Sequence, residues 1–138
     1  MDPIVIDLRP TPAEQIGKDK AHAALAEFFN ARPPGPFHGT AWMGNGYLEA
    51  SVFNNRVHLS AVFVLPELRG QKLGSTYLKE FLEVVDKHGA EVECSVKPFG
   101  EQVKETKKGV RELTKWYKTR GFQPVPKYLN RLLRPAAV

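Results

Sequence analysis

With a single cysteine, Cys94, in 138 residues, the chain has no internal disulfide and no cysteine-built zinc site. Apolar residues nowhere run to the roughly 20 in succession that a membrane-spanning helix needs. The opening stretch, MDPIVIDLRP, has an acidic second residue and only a short apolar segment. No signal peptide is therefore expected, and a soluble cytoplasmic protein is the default expectation. The four histidines are scattered, without HExxH or paired spacing, so no metal is expected. Internal repeats are lacking too. Acidic residues are in deficit, 15 against 20 basic ones, for a net charge of +5 and a pI near 9.4. That balance invites an anionic partner: nucleic acid, anionic lipid or a phosphorylated small molecule.

What is present suits one domain over residues 1–138, since 42% hydrophobic residues can fill a single core. Residues 4–8 read as a first strand. Thr11-Pro12-Ala13-Glu14 then supplies an N-cap, a proline at the first helical position and a capping-box glutamate. The charged Gly17-Lys18-Asp19-Lys20 stretch predicts a break in the helix that follows. Residues 31–39, ARPPGPFHG, cannot stay helical and form a connecting loop that can wall a site. Turn signals at Gly44-Asn45-Gly46 and Asn54-Asn55 divide residues 40–64 into strands. Residues 91–97 alternate, with Val92, Cys94 and Val96 on the core face and Glu93 opposite; Cys94 is expected to be buried and inert. A lysine-rich loop over 98–109, a helix over 111–120 closed by Gly121, and a strand over 128–133 complete the chain. The order is β, α, a β-meander, α, β, α, β: a mixed sheet with helices against it.

The most informative stretch is VFVLPELRGQKLGSTYLKEFLEVV, residues 62–85. Pro66 ends the strand before it. Gly70 and Gly74 bracket a basic loop, Ser75 or Thr76 can cap the next helix, and Arg69 and Lys72 add cations. A helix N-terminus offers unpaired N–H groups and the positive end of a dipole, so the junction suits a pyrophosphate.

The spacing Val64-x-Pro66-x-x-Arg69-Gly70-x-x-x-Gly74 resembles the acetyl-CoA-binding loop of the GNAT superfamily of N-acetyltransferases, Gln/Arg-x-x-Gly-x-Gly/Ala. Arg69 and Gly74 match that pattern, and Lys72 stands where its first glycine is usual. Downstream, Leu113-Thr-Lys-Trp116-Tyr117-Lys-Thr-Arg-Gly121-Phe122 is similar to the family's late helix, although Val110 stands where an asparagine is common. The resemblance covers roughly residues 47–133; the first 46 match by element order alone.

The resemblance implies an α/β (α+β) fold: a mixed, mostly antiparallel central sheet with a splayed central strand pair and flanking helices. It implies acetyl-CoA as cosubstrate, with no metal, and transfer of its acetyl group to a primary amine by direct attack in a ternary complex. The cosubstrate would be held by Val62, Phe63, Val64, Arg69, Gly70, Gln71, Lys72, Leu73, Gly74 and Ser75. By the same resemblance Tyr117 is the general acid at sulfur, since a phenol of pKa near 10 is protonated at neutral pH. In the arylalkylamine branch a histidine pair in the strand before the loop removes the amine proton. His58 corresponds to the first of the pair and Ser60 departs at the second. Glu49 and Glu93 are further candidates for the base, and many relatives need none.

The rival class is a catalytically inactive GNAT-like binding module that contacts nucleic acid or a protein. Against nucleic acid, the lysines are dispersed and no helix-turn-helix, RRM or KH pattern occurs. The expected partners are acetyl-CoA and an amine acceptor, with no membrane, in a monomer or homodimer. Acceptor identity is not legible: small amines, amino acids, antibiotics and protein N-termini all stay open.

Overall fold

The computed structural model describes residues 9, 11–68, 71–95, 107–126 and 131–136; the expected first strand over residues 4–8 and the expected core residue Val96 lie outside them. Helix α1 (Pro12–Asn30) starts as its sequence dictates, with Thr11 Oγ1 accepting from Glu14 N at 3.2 Å and Pro12 leading the first turn. It runs unbroken through Gly17-Lys18-Asp19-Lys20, contrary to the expected break. The reason lies in packing. A Cβ on Gly17 would sit 2.8 Å from the Asn55 carbonyl, so the glycine lets the helix ride directly on a hairpin turn.

Three strands follow: β1 (Thr40–Trp42), β2 (Gly46–Phe53) and β3 (Arg56–Val64). The turns between them fall at Gly44-Asn45 and Asn54-Asn55, with Gly44 and Asn54 at positive φ. A short 3-10 turn (Pro66–Leu68) leads toward α2 (Leu73–Lys87), and β4 (Val92–Ser95) comes next. Helix α3 (Lys107–Lys118) starts four residues before the expected Arg111, within the stretch read as loop. The turn that follows it closes at Gly121, whose φ of 91° fits a glycine after a helix end. Two strands close the chain, β5 (Gln123–Pro124), which sequence patterning missed, and β6 (Arg131–Arg134).

The strands make one mixed, mostly antiparallel sheet in the order β1-β2-β3-β4-β6-β5, in which β3 and β4 are the parallel pair. One core joins all layers. Ala21, Ala24, Leu25 and Phe28 of α1 meet Leu78, Phe81, Leu82 and Val85 of α2 over Leu48, Leu59 and Val92. Phe28 and Phe81, both fully buried, meet edge to face at 5.1 Å; burying two such rings contributes about 3–6 kcal/mol. Arg134 of β6 grips Asp86 of α2 with both guanidinium nitrogens (2.9 Å for Nη2–Oδ2), while its Nε donates to the Arg120 carbonyl at 2.9 Å. Among the described residues no helix is long and apolar enough to cross a membrane.

Two irregularities in β3 position the site. Opposite β2 the register runs Glu49↔Ala61 and then Ala50↔Leu59, so Ser60 is an extra residue, a β-bulge. Toward β4 the ladder among the described residues covers Val57↔Val92, His58↔Glu93 and Leu59↔Cys94, so the bulge falls directly after its last described pair.

Candidate functional site

Beside the second half of β3, next to Ser95 of β4, lies a cavity of about 460 Å³. Ser60 through Val64 make one wall, Ser95 of β4 and Leu113, Trp116 and Tyr117 of α3 the other, and Gly74 of α2 closes one end. Leu65 N donates to the Asn45 carbonyl at 2.9 Å, and Phe63 sits opposite Tyr47 in the same register. Antiparallel strands alternate, so Ala61 and Phe63 direct their amide groups to β2, while those of Val62 and Val64 point to the cleft side.

The helix at the end of the cleft is an unusual start. Lys72 is its N-cap residue, in the left-handed region at φ 61°, and offers no side-chain cap. Ser75 and Thr76, expected as caps, do other things. Thr76 Oγ1 donates to the Lys72 carbonyl at 3.3 Å, and Ser75 Oγ accepts from Trp116 Nε1 at 2.9 Å. The first intrahelical bond is Thr76 N to the Lys72 carbonyl at 3.2 Å, so the amides of Leu73, Gly74 and Ser75 have no acceptor within the helix. The first turn also has no acidic residue. Those amides and the helix dipole favour an anion. A groove of about 610 Å³ continues from there between α2 and α3, with Lys72, Lys79, Arg120 and Arg134 on its walls beside Glu83 and Asp86. Arg120 lies over the Trp116 ring at 4.5 Å, a cation–π contact that holds its charge toward the groove.

Tyr117 is held by Phe122 at 5.2 Å and Trp116 at 4.9 Å. It is 6% exposed. Burial, and secondly the charge of the neighbouring Cys94 thiolate, push its phenol pKa well above 10.0. The group is a neutral O–H at physiological pH. Cys94 is buried as expected, and its thiol is pushed up to about 12, first by desolvation and then by Glu93.

At its other end the cavity is aromatic. Tyr47 stacks on Phe63 at 4.9 Å and takes Phe37, from the loop after α1, edge on at 5.3 Å. Glu49, two residues along β2 from Tyr47, shares this wall, and its charge adds to burial in raising the Tyr47 phenol pKa. Glu49 and Ser60 also line a second cavity of about 570 Å³, bounded by α1 and His38.

Of the residues that sequence singled out, Ser60, Val62, Phe63, Val64, Gly74 and Tyr117 meet at one cavity. Lys72 and Ser75 line the adjoining groove. Gln71 is exposed at the turn and Leu73 is half-buried. Arg69 and Gly70 lie outside the described residues. His58 lines neither cavity nor the groove. Its Nδ1 is 3.5 Å from Glu93, whose other oxygen accepts from Arg56 at 3.2 Å. Glu93, expected on the polar face, is 5% exposed and lies between these two residues. At 3.5 Å the histidine contact is not a hydrogen bond, and His58 Nδ1 is buried without a hydrogen-bond partner among the described residues. Among the described residues no group of three or more His, Cys, Asp or Glu side chains is arranged to hold a metal. Phe37, Tyr47 and Trp116 were missed as site residues; the one available signal was Trp116 beside Tyr117.

The sequence profile of the Acetyltransferase (GNAT) family matches residues 5–103. The chain belongs to that family. Among solved structures, this GNAT chain is similar to the anti-CRISPR protein AcrVA5, at 17% identity over 68% of this chain and 94% of that one, with a TM-score of 0.56. It is also similar to the ribosomal-protein-S18-alanine N-acetyltransferase of Escherichia coli, at 16% identity over 91% and 86% of the two chains, TM-score 0.50. An acetyltransferase from Thermus thermophilus matches at 17% identity over 94% and 96%, TM-score 0.50. At such identities these structures bear on the fold, which they share. No curated protein matches the chain by sequence.

Proposed function

We propose that this GNAT domain is an acetyl-CoA-dependent N-acetyltransferase acting on a primary amine in a ternary complex. The observation that carries the reading is the continuity of the uncapped α2 start, the cleft between β3 and β4, and Tyr117 on the cleft wall. The diphosphate of acetyl-CoA binds the amides of Leu73, Gly74 and Ser75, with Lys72 and, by the sequence resemblance, Arg69, Gly70 and Gln71 around it. The nucleotide end follows the basic groove between α2 and α3. The pantetheine arm lies along β3 as an added strand, bonding the cleft-side backbone of Val62 and Val64 beside Phe63.

The amine nitrogen attacks the thioester carbon, and a backbone N–H of β3 stabilises the oxygen as it gains charge. The C–N bond forms, the C–S bond breaks, and sulfur leaves with the electron pair. Tyr117 donates a hydrogen bond to that sulfur and then its proton. Because its pKa is raised, full transfer to a thiolate is uphill, so the hydrogen bond to the developing charge is the larger contribution. The amine must lose a proton before or during attack. Glu49, on the cavity wall beside Ser60, is the better placed acceptor, directly or through water; His58 lines neither cavity.

Titration with acetyl-CoA, followed by calorimetry and by melting temperature, tests the binding half. A thiol-release assay against pooled amines tests the transfer half. Micromolar-class binding with release of CoA supports the reading; no heat and no thermal shift at millimolar acetyl-CoA overturns it.

A further inference from the structure

The aromatic end of the cleft needs an occupant. Phe37 is 49% exposed, although it contacts Tyr47 edge on, and Tyr47 in turn stacks on Phe63 and takes Trp42 edge on at 6.1 Å. Such a patch of rings on the wall of a cavity is an apolar surface left partly wet, which marks a binding site more often than chance exposure. Among the described residues its one charged neighbour is an anion, Glu49, in a protein whose net charge is +5. The patch therefore pairs one carboxylate with three clustered rings, a combination that complements a cation carrying an apolar body. A volume of about 460 Å³, part of which the thioester arm must fill, leaves room for something small.

We infer that the acceptor is a small primary monoamine bearing an aryl or branched apolar group, with that group against Phe37, Tyr47 and Phe63 and its ammonium at Glu49. This rests on the acetyl-transfer reading above and narrows it. A polyamine or a lysine-rich tail has no aryl or branched apolar group to bury against the rings. It also brings further positive charge to a cationic protein that offers, among the described residues, one carboxylate at this wall.

The experiment compares kcat/KM for phenethylamine, isobutylamine, spermidine and a lysine-containing peptide by thiol release, in the native chain and in Phe37→Ala. Acetyl-CoA binding is measured on both by thermal shift. Phenethylamine and isobutylamine are expected to exceed spermidine and the peptide by about tenfold or more, and Phe37→Ala to cut that ratio about tenfold. Because Phe37 is half exposed, the variant is expected to fold, and its acetyl-CoA shift verifies this. Loss of the acetyl-CoA shift in the native chain would sink the transferase reading itself. Retained binding with spermidine or the peptide preferred, or a ratio that Phe37→Ala leaves unmoved, would overturn the acceptor assignment alone. So would a change in acyl-chain preference in place of amine preference, since the rings would then seat the acyl group.

Discussion

At the scale of single residues, burial acts alike on two neighbours with different roles. Tyr117 and Cys94 both have raised pKa values, yet only Tyr117 lines the cleft. Replacing Tyr117 by Phe removes one O–H and little volume, so the fold and the acetyl-CoA affinity are expected to survive. Turnover should fall by about 10²–10⁴, the range typical of a lost proton donor. Steady-state kinetics beside a binding titration check this; unchanged turnover on a verified amine would remove Tyr117 from its role. Cys94 governs a different observable. Its folded pKa lies above its unfolded one, so the stability it contributes is fully present below pH 9.0 and is lost as pH rises toward about 12. Tyr117 has the same sign, starting from 10.0. Urea midpoints are therefore expected to fall between about pH 8 and about pH 10.5, and Cys94→Ala should flatten that slope while lowering stability at pH 8. An equal slope in both proteins would mean that the thiol is not desolvated as described.

At the scale of elements, the cleft depends on how closely β2 and β3 approach just before they end. A Cβ on Gly46 would lie 1.9 Å from the Phe63 carbonyl, and backbone on both sides leaves nothing flexible to yield. Gly46→Ala is expected to cost about 3 kcal/mol or more in chemical denaturation and to weaken acetyl-CoA binding along with it, because the same residues wall the cleft. A near-neutral effect would show that this end of the sheet is looser than its register. Much of this layer was legible in the sequence. Thr11-Pro12-Ala13-Glu14, Asn54-Asn55 and Gly121 each impose a local geometry that needs no tertiary information, and the resemblance of residues 64–74 supplied the mixed, mostly antiparallel sheet. What could not be read depended on contacts distant in sequence. Gly17-Lys18-Asp19-Lys20 stays helical because Asn55 packs against it, and Glu93 is buried because Arg56 comes alongside. Ser75 is not a cap because Trp116, 41 residues later, takes its oxygen. β5 is two residues long and has no period to detect. The ring cluster joins Phe37, Tyr47 and Phe63, three aromatics with no shared motif, through a loop and two strands.

At the scale of the whole molecule, the +5 charge acquires a location. Lys72, Lys79, Arg120 and Arg134 face one groove, against Glu83 and Asp86, so the groove is net basic where it meets the uncapped start of α2. Coenzyme A carries about four negative charges, most of them at its nucleotide end. If that end occupies the groove, attraction there is exposed to solvent and screened by salt, while the pantetheine arm in the cleft is not. Raising ionic strength from about 0.05 M to about 0.5 M is expected to weaken acetyl-CoA binding roughly tenfold, chiefly by slowing association. Dephospho-CoA, which lacks the 3′-phosphate, should respond less steeply. Lys72→Ala and Lys79→Ala, both exposed and outside the core, should each lower the slope without changing the melting temperature of the ligand-free protein by more than a degree or two. A titration series insensitive to salt, or one in which the lysine variants keep the native slope, would detach the basic groove from the cosubstrate and leave the excess charge for another partner.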